Sequence, residues 1–194
     1  MVMNKILIIV DFQKDFCEKT GSLYVPGAEI AKENILKYLD TEKPDAVCFT
    51  LDWHTRHDES FKRNGGIWPD HCIQYSEGAA LDQDILRKCI DNNILYTTFL
   101  KGDGKVEEYG AFGYGPDRRT PMGVDDVDDN DEFLTLVNYN GRSRFTFHKD
   151  NEYVICGLAG DYCVKATYDN LKKYGINVTP FYEGIAFIGE PFKY

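Results

Sequence analysis

The chain has 194 residues and a formal net charge of -10. That length suits one α/β domain spanning 1–194, and the charge argues against a nucleic-acid or anionic membrane-surface partner, either of which would demand clustered Lys and Arg. Six cysteines are scattered at positions 17, 48, 72, 89, 156 and 163 without a C-x-x-C pair, and neither a signal peptide nor a long apolar span is evident. This usage points to free thiols in a reducing, cytoplasmic setting and excludes a cysteine zinc ribbon.

Lys5 to Val10 is a continuous apolar run, as expected of a central parallel strand buried on both faces. It stops at Asp11, a carboxylate at the strand edge where open α/β sheets bind ligands. On its own Asp11 reads equally well as the cap of the following turn. After Phe12 to Phe16 and a loop over Gly21 to Gly27, Ala28 to Leu39 has helical spacing. A second strand, Ala46 to Leu51, also ends on an acid, Asp52, followed by Trp53-His54-Thr55-Arg56-His57-Asp58. Three of the four histidines lie between 54 and 71, the last of them in Trp68-Pro69-Asp70-His71-Cys72. Asp52, His54 and His71 make an oxygen and nitrogen set suited to zinc, iron or manganese, although two His near an Asp are more often plain surface polarity.

Gly78 to Asp91 reads as an amphipathic helix, and Ile94 to Leu100 as a third strand ending in Lys101-Gly102. Lys101 is thus a third charged residue at a strand's carboxyl end, where it could pair with Asp11 and help retain a thiolate. Tyr109 to Gly115, with Tyr109, Phe112 and Tyr114, reads as a loop able to line a pocket for a flat substrate, or as ordinary loop packing. The acidic run Asp125 to Glu132 reads as a solvated turn capping a helix over Glu132 to Val137, and it lacks the glycine and terminal Glu of an EF-hand. Phe145 to His148 alternates like a short extra strand, Tyr153 to Cys156 like a buried one, and Ile176 to Tyr182 like the last.

Between those last two strands lies Gly157-Leu158-Ala159-Gly160-Asp161-Tyr162-Cys163-Val164-Lys165-Ala166-Thr167, in which Val164, Ala166, Tyr168 and Leu171 begin a helical pattern. Cys163 is expected in the first turn of that helix, where unpaired amides and the dipole favour an anion and a depressed thiol pKa. The same amides could hold an oxyanion. Taken alone, Cys163 reads more economically as a small buried apolar residue, so the partners decide.

Together these pieces resemble the isochorismatase-like cysteine hydrolases, and within them the nicotinamidases: Ile8 to Cys17, Asp52-Trp53-His54 with Ser60-Phe61, Trp68 to Cys72, Lys101-Gly102, and Cys156 to Thr167, in family order along nearly the whole chain. The resemblance implies a doubly wound, mostly parallel sheet with helices on both faces, Rossmann-like in plan. It implies a triad of Asp11, Lys101 and Cys163, one divalent metal (zinc, iron or manganese) on Asp52, His54 and His71, and Phe16 and Trp68 on either side of a pyridine ring. It further implies a cis Ala159–Gly160 peptide that turns the amides of Gly160 and Cys163 toward the substrate oxygen. The implied reaction is hydrolysis of nicotinamide to nicotinate and ammonia in NAD salvage, by a homo-oligomer. Alternatives are another small amide as substrate, or a silent binding protein of the same fold. Where the family commonly adds a metal-binding His, this chain has Asp58, with His57 one residue earlier; either could complete the metal sphere. Gly160 stands where Thr is more usual, which should loosen the oxyanion turn.

Overall fold

The structure is a computed structural model describing residues 4–104, 108–113, 133–138, 140 and 142–194. A five-stranded parallel sheet is built from β1 (Lys5–Val10), β2 (Ala46–Asp52), β3 (Leu95–Lys101), β6 (Glu152–Gly157) and β7 (Val178–Ile185), in the order β3-β2-β1-β6-β7. β4 (Phe133–Val137) and β5 (Arg144–His148) form a separate antiparallel hairpin. The three central strands are nearly continuous runs of buried residues, which is why their sequences carry no alternation. Each aliphatic side chain so buried stabilises the fold by roughly 1.5–3 kcal/mol.

From β1 the chain winds outward to β2 and β3, and from β6 it winds the opposite way to β7. With right-handed crossovers, that reversal puts the helices before and after it on opposite faces of the sheet. The connections are α1 (Lys14–Cys17) and α2 (Ala28–Thr41) after β1, α3 (Gln83–Asp91) after β2, and α4 (Lys165–Lys173) after β6. α2 buries Ala28, Ala31, Ile35 and Leu39, one helical stripe, as the spacing of its apolar residues predicts. No described helix is long and apolar enough to cross a membrane.

The structure departs from the sequence expectations in a few places. α3 begins at Gln83 rather than Gly78, because Asp82 caps it by accepting from the amides of Asp84 and Ile85. The carbonyls of Gly78 and Ala80 instead accept from Asp15 and Lys14, tying that stretch to α1. Phe133 to Val137 is a strand, not a helix: Leu134 and Leu136 are buried while Phe133 and Thr135 are exposed, a period of two. Its partner β5 is the short strand expected at 145–148. β7 runs on to Ile185, past an irregularity in its pairing with β6 that simple patterning cannot reveal. The acidic run 125–132, Tyr114 and Gly115 lie outside the described residues.

Candidate active site

The carboxyl ends of four neighbouring strands deliver the chemistry. Asp11 leaves β1 with φ +47, and its amide bonds Thr50 O at 3.1 Å, while Leu158 N bonds Val10 O at 2.9 Å on the other side. β1 is therefore held to both neighbours up to the step at which Asp11 stands, at the point where strand order reverses. Asp52 and Lys101 are direct partners in the β2–β3 register. Lys101 is fully buried, its Nζ 2.8 Å from Asp11 Oδ2, hydrogen-bonded to Asp52 Oδ1, and 3.7 Å from Cys163 Sγ. Thr50 Oγ1 donates to the other Asp11 oxygen at 2.6 Å.

Burial would strip a proton from the Lys101 amine, yet Asp11 and Asp52 outweigh it and hold the group well above its ordinary value. Burial raises Asp11 to about 6 against the pull of Lys101. Asp52, facing Lys101, His54 and His71, lies below the usual carboxylate range despite its burial. One ammonium thus serves two carboxylates, and Asp11 is the one poised to take up a proton.

One ligand atom each from Asp52, His54 and His71 lies within 4.8 Å of the others. His54 Nε2 is 3.4 Å and His71 Nε2 3.7 Å from Asp52 Oδ2. The far nitrogens are both engaged: His54 Nδ1 lies 2.9 Å from Asp58 Oδ2, and His71 Nδ1 lies 2.8 Å from Pro69 O. Bonds of that kind fix the tautomer of the neutral ring and turn Nε2 inward. His54 Nε2 is buried and has no hydrogen-bond partner among the described residues. An orphaned imidazole nitrogen beside a carboxylate and a second imidazole fits a divalent cation. Although burial opposes it, Asp52 and Asp58 lift His54 to about 10, so a bound cation would displace a proton there. Burial lowers His71. A second grouping, Asp11, Asp52 and Cys163, already surrounds the Lys101 ammonium.

Of the two residues considered for completing a metal sphere, neither joins these ligand atoms. Asp58 is fully buried but sits behind the His54 ring, its second oxygen accepting from Ser60 N at 2.9 Å. His57 is exposed.

Beside the cluster opens a narrow cleft whose walls include Phe16, Trp68, Tyr109, Tyr162, Ala159, Cys163 and His71. Phe16 and Trp68, read from the sequence as the ring-binding pair, both line it. The Trp68 ring stands edge-on to Tyr162 at 5.2 Å, and its Nε1 donates to Tyr109 OH at 3.0 Å. Phe112 lies elsewhere, packed between Phe99 and Phe147.

The nucleophile turn corrects five expectations. Cys163 falls in a π-helical turn, Gly160–Val164, that precedes α4. Its thiol is not depressed: burial, with Asp11 and Asp52 adding to it, pushes the group well above its ordinary value, and Lys101 only partly compensates. The cis peptide is Leu158–Ala159, one residue earlier than expected. Finally, Gly160 N donates to Ala186 O at 2.8 Å and so is spent, whereas Ala159 N has no hydrogen-bond partner among the described residues. Nor is the turn loosened by Gly160, since a Cβ there would come within 2.5 Å of Phe187 Cε1. Glycine lets the Phe187 ring press against the turn.

Gln13 lies inside the Ile8 to Cys17 stretch, where the sequence gives it no role of its own. It is fully buried, with Nε2 donating to Asp52 O and Ala79 O at 2.9 Å each, and Oε1 accepting from Asp52 N at 2.8 Å. A Gln two residues beyond a strand-end acid was the available signal. Thr50, inside the buried run of β2, and Ile188, beyond the last strand, offered none.

No family model matches the chain. It is 29% identical to the nicotinamidase of Escherichia coli over 198 residues, covering 93% of this chain and 82% of that protein. Among solved structures, PnC1 from L. infantum in complex with nicotinate is 27% identical with a TM-score of 0.71, covering 97% of this chain and 83% of that one. The pyrazinamidase of Pyrococcus horikoshii in complex with zinc is 25% identical with a TM-score of 0.64, covering 96% and 88%. In sequence and in fold alike, over most of its length, the chain is similar to proteins named nicotinamidase.

Proposed function

We propose that the chain is a metal-dependent amidohydrolase that converts nicotinamide and water to nicotinate and ammonia through a thioester on Cys163. The observation that carries this reading is the meeting at Lys101, whose buried ammonium bonds Asp11 and lies 3.7 Å from the Cys163 sulfur at the foot of an aromatic cleft. A divalent ion on Asp52, His54 and His71, zinc by preference with iron or manganese suited to the same donors, would supply a Lewis acid that anchors the substrate's ring nitrogen.

Phe16 and Trp68 hold the ring faces, bringing the carboxamide carbon to Cys163 Sγ. Asp11 takes the thiol proton as the carbon–sulfur bond forms, so the thiolate arises in contact with its target. A thiol held high by burial and a carboxyl raised to about 6 suit that order of events. Lys101 offsets the negative charge shared by Asp11, Asp52 and the sulfur. The amides of Ala159 and Cys163 receive the oxyanion, each stabilising the transition state by about 3 kcal/mol. Asp11 then protonates the departing nitrogen, the carbon–nitrogen bond breaks and ammonia leaves. In the second half Asp11 deprotonates a water that attacks the thioester, the carbon–sulfur bond breaks, and Asp11 returns the proton to the sulfur. Nicotinate is a pyridine nucleotide precursor, so the activity belongs to NAD salvage.

An ammonia-release assay with nicotinamide tests the reading, run on protein as purified, after chelation, and after return of zinc. Turnover lost on chelation and restored by zinc is expected; a zinc-loaded, folded protein inert toward nicotinamide overturns it.

A further inference from the structure

Among the described residues lining the cleft, Ile188 alone comes from the segment that follows β7. It stands at the mouth, 39% exposed, so packing by itself does little to fix it. What fixes it is the nucleophile turn. Asp161, two residues before Cys163, accepts from Ile188 N at 3.0 Å with Oδ1 and from Gly189 N at 2.8 Å with Oδ2, spending both carboxylate oxygens on consecutive amides. Just upstream, Gly160 N donates to Ala186 O at 2.8 Å, and Phe187 presses on the Gly160 backbone. The same five-residue turn that carries the sulfur therefore also positions the outer apolar wall of the cleft.

We propose that Ile188 is the size filter of the substrate pocket and that Asp161 is the positioning residue that sets its distance from the nucleophile. The inference rests on the nicotinamidase reading and adds to it which ring substituents the site refuses. Ile188 meets a substituted ring directly. Asp161 acts only through the amides of residues 188 and 189, and charge-assisted bonds to both make that wall stiff where a tail after the last strand would otherwise yield. An apolar wall of this kind discriminates by volume, so its effect is confined to substrates that differ in bulk.

The test uses zinc-loaded enzyme with nicotinamide and a ring-methylated nicotinamide, in wild type, Ile188→Ala, Asp161→Asn and Asp161→Ala. In Ile188→Ala the preference for the unsubstituted amide over the methylated one should fall roughly tenfold, mostly through KM. Asp161→Ala should shift the preference the same way, and Asp161→Asn, which keeps one acceptor, by less. Ile188→Phe should sharpen the preference, and because residue 188 sits at the surface this variant reads the filter even if Asp161→Ala fails to fold. A preference unchanged in both Ile188 variants overturns the filter while leaving the nicotinamidase reading intact. If Asp161→Ala lowers kcat equally for both substrates with no change in preference, its positioning role is overturned. A wild-type enzyme inert toward both amides overturns the functional reading and the filter with it.

Discussion

Asp58 Oδ2 lies 2.9 Å from His54 Nδ1, and both side chains are fully buried. The carboxylate holds the imidazole by the edge remote from Asp52 and His71, so its effect on a bound cation is exerted through the ring. Such partners raise ligand basicity and fix ring orientation, and losing one typically costs about 10–100-fold in metal affinity. Asp58→Asn should therefore bind zinc about that much more weakly in a chelator competition, while excess zinc restores turnover. Zinc affinity indistinguishable from wild type would remove Asp58 from the metal's support.

Cys163→Ala should abolish ammonia release, leaving at most the residual rate that binding and oxyanion contacts give, at least about a thousandfold below wild type. Zinc content and circular dichroism should be unchanged. In wild type, rapid quenching with nicotinamide and intact-mass measurement should reveal the acyl adduct on residue 163. Turnover surviving in the alanine variant would dispose of the thioester route.

The pH dependence follows from Asp11. Its carboxyl must be ionised to take the thiol proton, and burial raises it to about 6. The kcat/KM profile should fall as pH drops through about 6, or just below it, since a cation on the neighbouring His54 and His71 favours the ionised form. Lys101→Met removes the ammonium that pulls Asp11 down and leaves two carboxylates facing one another, so the acidic limb should move to higher pH. Urea unfolding of that variant should show a loss on the order of 3–5 kcal/mol, because a buried charge is left unpaired. An acidic limb that stays in place in Lys101→Met would mean that a group other than Asp11 governs the profile.

The chemistry of the site was legible because it stands at strand ends. Asp11, Asp52 and Lys101 each terminate an apolar run, and parallel strands in register bring those ends together without further information. His71 and Cys163 also follow the motifs that carry them. Less visible was whatever depends on three-dimensional surroundings. A thiol at a helix start is read as acidic from local amides, but burial and two nearby carboxylates reverse the sign. Asp58 occupies a slot suggestive of a ligand, and only the direction of the His54 ring shows that it stands behind the metal set. Phe133 to Val137 resembles a capped helix when read after an acidic run, whereas pairing with β5 makes it a strand. Ile188 gains its place from a carboxylate 27 residues away, a relation that no pattern along the chain encodes.

Gln13 provides the test of how the metal-side acid is held. Its carboxamide bonds both backbone groups of Asp52 and the carbonyl of Ala79, where β1 and β2 have parted and no ladder remains to pair them. Gln13→Leu keeps much of the volume but leaves Asp52 N, Asp52 O and Ala79 O without partners in a dry site. At about 1–3 kcal/mol for each unsatisfied buried group, partly relieved by relaxation, the loss in urea unfolding should be on the order of 3 kcal/mol. Since Asp52 also bonds Lys101 and faces both imidazoles, zinc affinity should fall in the same variant, and kcat should drop with it even at saturating zinc. Gln13→Glu, when ionised, keeps the acceptor for Asp52 N but sets a carboxylate oxygen against two carbonyls. It should therefore be at least as damaging near neutral pH and less so in acid, where protonation restores one donor. A Leu variant as stable as wild type and equally tight for zinc would mean that the β1 and β2 termini hold Asp52 without help from the Gln13 side chain.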